Sequence, residues 1–307
     1  MLANLNEVLI PAKKGKYAVG LFNAVNLELA RGIIEAAEKT ESPVIVGTAE
    51  VLFPYGPLDE VSYYLIPMAK KAKVPVVVHL DHGLRKETCI QALELGFSSI
   101  MYDCSTEPYE VNVKKVREMA EIAHSFGASI EAELGHVGNS GQDNMELDDT
   151  DKFYTDPKQA KDFVEKTGVD ALAISVGTAH GAYKRPPKLD FERIRTIAEL
   201  LPIPLVLHGG SGLSDADFKK AIQEGISKVN IFTDINVAAV EAEFSAFDNM
   251  NKGIIDLIPA AVNAVRAEVG RKLQLFGCTG KAVTNSPSKA ELIRIVVNEV
   301  LKELKNK

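Results

Sequence analysis

Eight short apolar runs recur along the chain: YAVGLF (17–22), PVIVGT (43–48), VPVVVHL (74–80), SSIMYD (98–103), SIEAEL (129–134), ALAISV (171–176), PLVLH (204–208) and KVNIF (228–232). Their apolar residues are continuous rather than alternating, as in strands of a parallel sheet covered on both faces. Between them, apolar positions fall at helical spacing over 27–40, 58–71, 86–95, 110–126, 157–166, 190–200, 214–224 and 234–246. Start signals support several of these helices, notably Asp156 before Pro157 and Ser214 before Asp215 and Asp217. Gly96, Gly127, Gly168 and Gly225 stand where helices need a terminating residue.

Eight strands alternating with eight helices predict an α/β fold, a (β/α)8 TIM barrel. A doubly wound sheet would have fewer strands and a glycine-rich turn after the first, and no such turn follows Phe22. Length alone leaves room for two domains, but single barrels reach about 250 residues or more. The expected organisation is one domain over 1–307, with residues from about 250 onward forming a C-terminal helical extension. Its last segment, ELIRIVVNEVLKELKNK, carries an apolar stripe suited to packing within the chain or against another subunit.

Composition narrows the function classes. Hydrophobic content of 46% and charged content of 25% are ordinary for a globular protein, and a net charge of -7 argues against nucleic acid as a partner. An anionic substrate would need a local site. No apolar run approaches the ~20 residues of a membrane span, and MLANLNEVLIPAKKGKY lacks a signal-peptide core, so a cytoplasmic protein with no membrane partner is expected. Cys89, Cys104 and Cys278 have neither pairing nor metal spacing and are expected as reduced, part-buried thiols.

The candidate chemistry gathers at the strand ends, where barrel enzymes build their sites. His79, Asp81 and His82 end the third run, Asp103 the fourth, and Glu131 and Glu133 the fifth; His180 follows the sixth, His208 ends the seventh, and Asn230 lies in the eighth. Of six histidines, His82, His180 and His208 each follow an apolar run and precede or approach a glycine. Three neutral imidazoles around one divalent ion, with a position left open, is a catalytic zinc arrangement. A single strand-end histidine is more often a hydrogen-bonded structural residue, and His124 and His136 are read that way.

Asp81 points away from His82 along an extended strand, yet at a strand end it can still reach a ligand on the same ion. There it suits the transfer of a substrate hydroxyl proton, or the orientation of a ligand histidine. HGGSG (208–212) and NIFTD (230–234) follow the seventh and eighth runs, whose loops commonly hold phosphate in barrels. Backbone amides and the hydroxyls of Ser211 and Thr233 could surround that group; Lys184 is either a cation for it or a solvated surface lysine.

On GLFNAVN, SPVIV, HLDHG, EAELG, GTAHGAYK, LVLHGGSG and KVNIFTD, the chain resembles the class II, metal-dependent ketose-bisphosphate aldolases, the family of fructose-1,6-bisphosphate and tagatose-1,6-bisphosphate aldolases. The resemblance runs from about 19 to about 281 and implies Zn2+ on His82, His180 and His208, with Asp81 as the proton-transferring acid/base. It implies Gly181, Gly209, Gly210, Ser211, Asn230 and Thr233 around the dihydroxyacetone-phosphate half, with Asn23 and Lys184 close by. Asp103 and Glu133 would ligate an alternative or second metal position, and a monovalent cation near the phosphate is a further implied ion. Cleavage would start with Asp81 taking the ketose hydroxyl proton, zinc stabilising the enediolate left by carbon–carbon scission. The implied partners are a phosphorylated sugar substrate and further copies of the chain, as a homo-oligomeric dimer or tetramer.

Three departures from the family pattern stand out. The loop after EAELG reads GHVGNSGQDNMELDD, placing Ser140 or Gly141 where a glutamate usually handles the proton on carbon; Asp143 and Glu146 are the nearby acids. NKGIIDLIP lacks the arginine that often meets the distal phosphate, and Ala49 stands where a serine is common. A ketose 1-phosphate or a modified sugar phosphate is therefore an alternative substrate, and a non-catalytic sugar-phosphate-binding relative an alternative role. Retention of Asp81 speaks for catalysis. A Schiff-base aldolase would need a strand-end lysine, and Lys228 opens its run instead; an amidohydrolase-type enzyme would want a His-x-His pair on the first strand.

Overall fold

The computed structural model describes residues 1–138, 154–179, 181, 187–248, 251 and 253–282. Among these residues nine strands form one sheet: β1 (Leu2–Ala3), β2 (Val19–Asn23), β3 (Val44–Ala49), β4 (Val76–Gly83), β5 (Ser99–Tyr102), β6 (Ser129–Leu134), β7 (Ala171–Ile174), β8 (Leu205–Leu207) and β9 (Ile226–Ile231). Strands β2 to β9 pair in parallel around a ring that the β2–β9 and β4–β5 pairings close. This is the expected eight-stranded barrel.

The helices are α1 (Leu5–Gly15), α2 (Leu27–Lys39), α3 (Leu58–Lys71), α4 (Lys86–Leu95), α5 (Tyr109–Ser125), α6 (Pro157–Thr167), α7 (Phe191–Leu200), α8 (Asp215–Glu224), α9 (Thr233–Phe247) and α10 (Ile254–Leu275). Their ends follow the local chemistry. The side chains of Asp156 and Ser214 accept from the amides of Gln159 and Asp217, satisfying donors that the first helical turn leaves unpaired. Gly96 and Gly168 stop α4 and α6.

Two N-terminal elements lie outside the eightfold pattern. Strand β1 pairs with Val76 and Val77, covering the edge of β4 before β5 takes it over at His79. Helix α1 closes the N-terminal mouth of the barrel: Leu5 and Leu9 are fully buried, the Leu5 amide donates to Ser129 Oγ, and Lys13 Nζ donates to the carbonyls of Leu201 and Ile203. The signal for α1 was present as a capping box, in which Asn4 accepts from the Glu7 amide and Glu7 from the Asn4 amide.

The extension beyond 250 contains α10, which packs on α2 so closely that a Cβ on Gly32 would lie 2.7 Å from Val265. The last apolar-striped segment lies outside the described residues. Among the described residues no helix is long and apolar enough to cross a membrane, and the three cysteines are buried free thiols.

Candidate active site

Residues two apart on a strand share a face. On three strands that face carries polar pairs: His79 and Asp81 on β4, Glu131 and Glu133 on β6, Lys228 and Asn230 on β9, all buried. They meet across the barrel. Lys228 Nζ lies 2.8 Å from Glu131 Oε2 and donates to Asn230 Oδ1 at 2.8 Å. Asn230 Nδ2 donates to Asp81 Oδ1 at 2.9 Å, while Asn23 Nδ2, from the end of β2, donates to Asp81 Oδ2 at 2.8 Å. Since β4, β6 and β9 are not neighbours in the ring, these bonds run through its interior.

His82 departs from the extended strand expected there. Its φ is 43°, in the left-handed region, and the β4–β5 register shifts between Leu80 and Gly83. Such a bulge re-aims side chains. Asp81 and His82 therefore do not point to opposite sides: both offer a ligand atom, together with His208, within 4.8 Å of one another.

The two imidazoles are held from behind by carboxylates. His82 Nδ1 lies 2.8 Å from Asp103 Oδ2, and His208 Nε2 lies 2.9 Å from Glu131 Oε1. The rings meet edge to face with centroids 4.5 Å apart. Glu133 accepts the Val137 amide on one oxygen, and its other oxygen lies 3.1 Å from His208 Nδ1. His82, Asp103 and Glu133 form a second group of ligand atoms within 4.8 Å. This donor set fits a divalent ion, because metal-binding histidines characteristically give their second nitrogen to a carboxylate that fixes ring orientation.

Burial alone would raise the Asp81 carboxyl, but His82, Lys228, His208 and His79 outweigh it and hold it below the usual carboxylate range. Asp81 thus stays ionised, as a proton acceptor must. Burial lowers His208, yet its bonds to Glu131 and Glu133 carry it up to about 10. Burial and Lys228 push His79 down to about 3, so it stays neutral, sharing a hydrogen bond with Ser99 Oγ.

One expected result follows for metal uptake. With its pKa raised to about 10, His208 keeps a proton through neutral pH in the metal-free protein, and a metal ion bound to its ring would have to displace that proton. Apparent affinity for Zn2+ should rise as pH rises from about 6 to about 9, with proton release on binding. Calorimetry in buffers of different ionisation enthalpy reads that release; affinity independent of pH would contradict the assignment.

The loops after β8 and β9 lie against each other. Gly210 donates its amide to the Asn230 carbonyl at 3.2 Å, and Phe232 donates to Ser211 Oγ at 3.3 Å. Thr233 opens α9, whose N-terminus carries no side-chain cap, and the first amides of a helix suit an anion. Gly209 has φ 62°, and a Cβ there would meet the Ala179 carbonyl oxygen at 2.3 Å. The segment leading to His180 therefore rests on the residue after His208. Gly209→Ala should destabilise the fold by roughly 1–3 kcal/mol or more, read as a lower Tm; an unchanged Tm would refute this close approach.

The structure thus brings together Asn23, Asp81, His82, Asp103, Glu133, His208, Gly209, Gly210, Ser211 and Asn230, with Thr233 alongside. Gly181 is exposed. His180, Lys184 and the acids Asp143 and Glu146 lie outside the described residues, as do Ser140 and Gly141. His124 pairs with Asp170 on the surface and His136 with Ser105, in keeping with structural roles.

The sequence placed Glu131 on the strand-end rim without giving it a partner there, and set Lys228 aside as the residue that opens its run. Lys228 does not open its strand, since β9 begins at Ile226, and it is fully buried. Its engagement by Glu131 and Asn230 makes it a fixed cation rather than an amine placed to attack a carbonyl. The signal was the two-residue spacing of polar residues inside the apolar runs: HLD, EAE and KVN.

Comparison with known proteins places these features in a family. The profile described as "Fructose-bisphosphate aldolase class-II" matches residues 3–281. A protein of Escherichia coli K12, "Uncharacterized protein YdjI", is 39% identical over 282 residues, covering 92% of this chain and 100% of its own. A "Fructose-bisphosphate aldolase" of Staphylococcus aureus is 38% identical over 290 residues, covering 92% and 99%. The X-ray structure of the YdjI aldolase from Escherichia coli K12 superimposes with a TM-score of 0.82 at 37% identity, covering 92% of this chain and 100% of that one. A putative fructose-1,6-bisphosphate aldolase of Coccidioides immitis gives 0.81 at 29% identity, covering 90% and 96%.

Proposed function

Because the chain belongs to the class II fructose-bisphosphate aldolase family, we propose that it is a metal-dependent lyase cleaving a ketose 1,6-bisphosphate of the fructose or tagatose type. The products are dihydroxyacetone phosphate and an aldehyde, and the reaction is reversible. The observation that carries this reading is Asp81: a buried carboxylate steadied by two asparagine amides, with ligand atoms of His82 and His208 within 4.8 Å.

Zn2+ would be held by His82, His208 and His180, with Asp103 and Glu133 forming a neighbouring position beside His82. When bound, the ion supplies Lewis-acid stabilisation of the negative charge that carbon–carbon scission leaves on the substrate oxygens. Asp81 takes the substrate hydroxyl proton on a carboxylate oxygen. Each of its oxygens already accepts one amide N–H and has a second lone pair for the proton. Asn23 and Asn230 stop the carboxylate from turning, so proton transfer requires no search. Gly209, Gly210, Ser211, Asn230, Thr233 and Gly181 surround the phosphate of the dihydroxyacetone half, with Lys184 and a monovalent cation adding positive charge.

One observation favours a second reading for the other half of the substrate. Ala49 lies opposite Asp81 in the β3–β4 register and is buried, so it offers no hydroxyl to a distal phosphate. This supports a ketose 1-phosphate or a modified sugar phosphate. A screen of ketose mono- and bisphosphates for dihydroxyacetone-phosphate release separates the readings: release from a bisphosphate is expected, release from a monophosphate alone selects the second, and no release contradicts both.

The homo-oligomer belongs to the same proposal. Phe244 and Phe247 of α9 and Ile254 and Ile255 of α10 are more than half exposed, an apolar surface of the kind that subunits cover.

A further inference from the structure

The Lys228 side chain has no direct part in the proton transfer just described, yet it lies behind both halves of the site. It is 0% exposed, and its ammonium contacts three oxygens: Glu131 Oε2 at 2.8 Å, Glu131 Oε1 at 3.1 Å and Asn230 Oδ1 at 2.8 Å. An asparagine amide has a donor end and an acceptor end, while an ionised carboxylate only accepts and an ammonium only donates. Between Asp81 and Lys228, Asn230 has one satisfactory orientation: Nδ2 toward Asp81 and Oδ1 toward Lys228. Reversal would set an oxygen against a carboxylate and an NH2 against a cation. Asn23 provides the contrast, because its Oδ1 is buried without a hydrogen-bond partner among the described residues.

We propose that Lys228 is a positioning residue for the proton-transfer step, fixing the Asn230 amide so that it presents an N–H to Asp81. Its bonds to Glu131, whose Oε1 also meets His208 Nε2, tie the same cation to the mounting of a metal-binding histidine. One buried ammonium thereby sets the acid/base and the metal ligand in a common frame. The proposal rests on the aldolase reading for what Asp81 does, but not for how Asn230 is held.

The test compares Glu131→Gln with the double variant Lys228→Met/Glu131→Gln, which removes cation and carboxylate together and leaves no unpaired buried charge. Crystal structures of both, their Zn2+ content and their steady-state kinetics are measured. The double variant should bind the same Zn2+ as Glu131→Gln, lose the Asn230–Asp81 hydrogen bond, and show kcat lower by about 10²-fold with KM changed little, as expected when a reacting group is misplaced. An intact Asn230–Asp81 bond with equal kcat would overturn the proposal, assigning Lys228 only the neutralisation of Glu131. If the parent protein cleaves no ketose phosphate, the aldolase reading falls, while the Asn230–Asp81 geometry of the double variant still decides the role of Lys228.

Discussion

Replacing Asp81 with alanine should lower kcat by about 10³-fold while Zn2+ binding persists, since general acid–base catalysis is worth roughly 10²–10⁴-fold. Asp81 is the carboxylate on which the asparagine donors of β2 and β9 converge, and its neighbours hold it ionised. His82 and His208 keep their own carboxylate partners, Asp103 and Glu131, in the variant, so the two rings stay oriented for the proposed ion. Asp81→Asn sharpens the experiment, because it keeps the shape while removing the charge and the ability to take a proton, with the loss of one of the two asparagine hydrogen bonds. An equal loss in both variants, with Zn2+ retained, assigns the effect to proton transfer. Parent-like turnover in either variant would remove Asp81 from the reaction.

Glu131→Ala should produce the largest loss of stability. The Glu131 carboxylate is fully buried and accepts from Lys228 and His208, which are also fully buried. Deleting one partner of a buried ion pair leaves an uncompensated charge and typically costs about 3–5 kcal/mol. For a protein of this size that corresponds to a Tm lower by on the order of 10 °C. Glu131→Gln, which keeps an acceptor for Lys228 but leaves its charge uncompensated, should lose less than Glu131→Ala. Thermal denaturation of the metal-free proteins measures both; equal, small losses would mean that the buried network does not support the fold.

The barrel was legible because its strands and helices are coded locally. Runs such as SIEAEL and VPVVVHL are apolar enough to demand cover on both faces, and the helices between them carry caps such as Asp156 and Ser214. The C-terminal strand ends were equally readable, and they located Asp81, His82 and His208. Helix α1 escaped because Pro11 and a short Lys-rich end obscured its period, although Asn4 and Glu7 marked its start. Lys228 escaped for a different reason. Within an apolar run a lysine reads as a strand boundary, and only tertiary contact with Glu131, on a strand that is not its neighbour, explains its burial. The direction of Asp81 relative to His82 was also beyond local reading, since the left-handed residue and the bulge of β4 depend on pairing with β5.

Metal-dependent cleavage tests the central claim most directly. Dihydroxyacetone-phosphate release from fructose 1,6-bisphosphate and tagatose 1,6-bisphosphate should be followed alongside Zn2+ content, before chelation, after it, and after Zn2+ is restored. The expected result is Zn2+ bound as isolated, cleavage of at least one of the two sugars, loss of that activity on chelation and recovery with Zn2+. A protein that remains fully active when free of metal would contradict it.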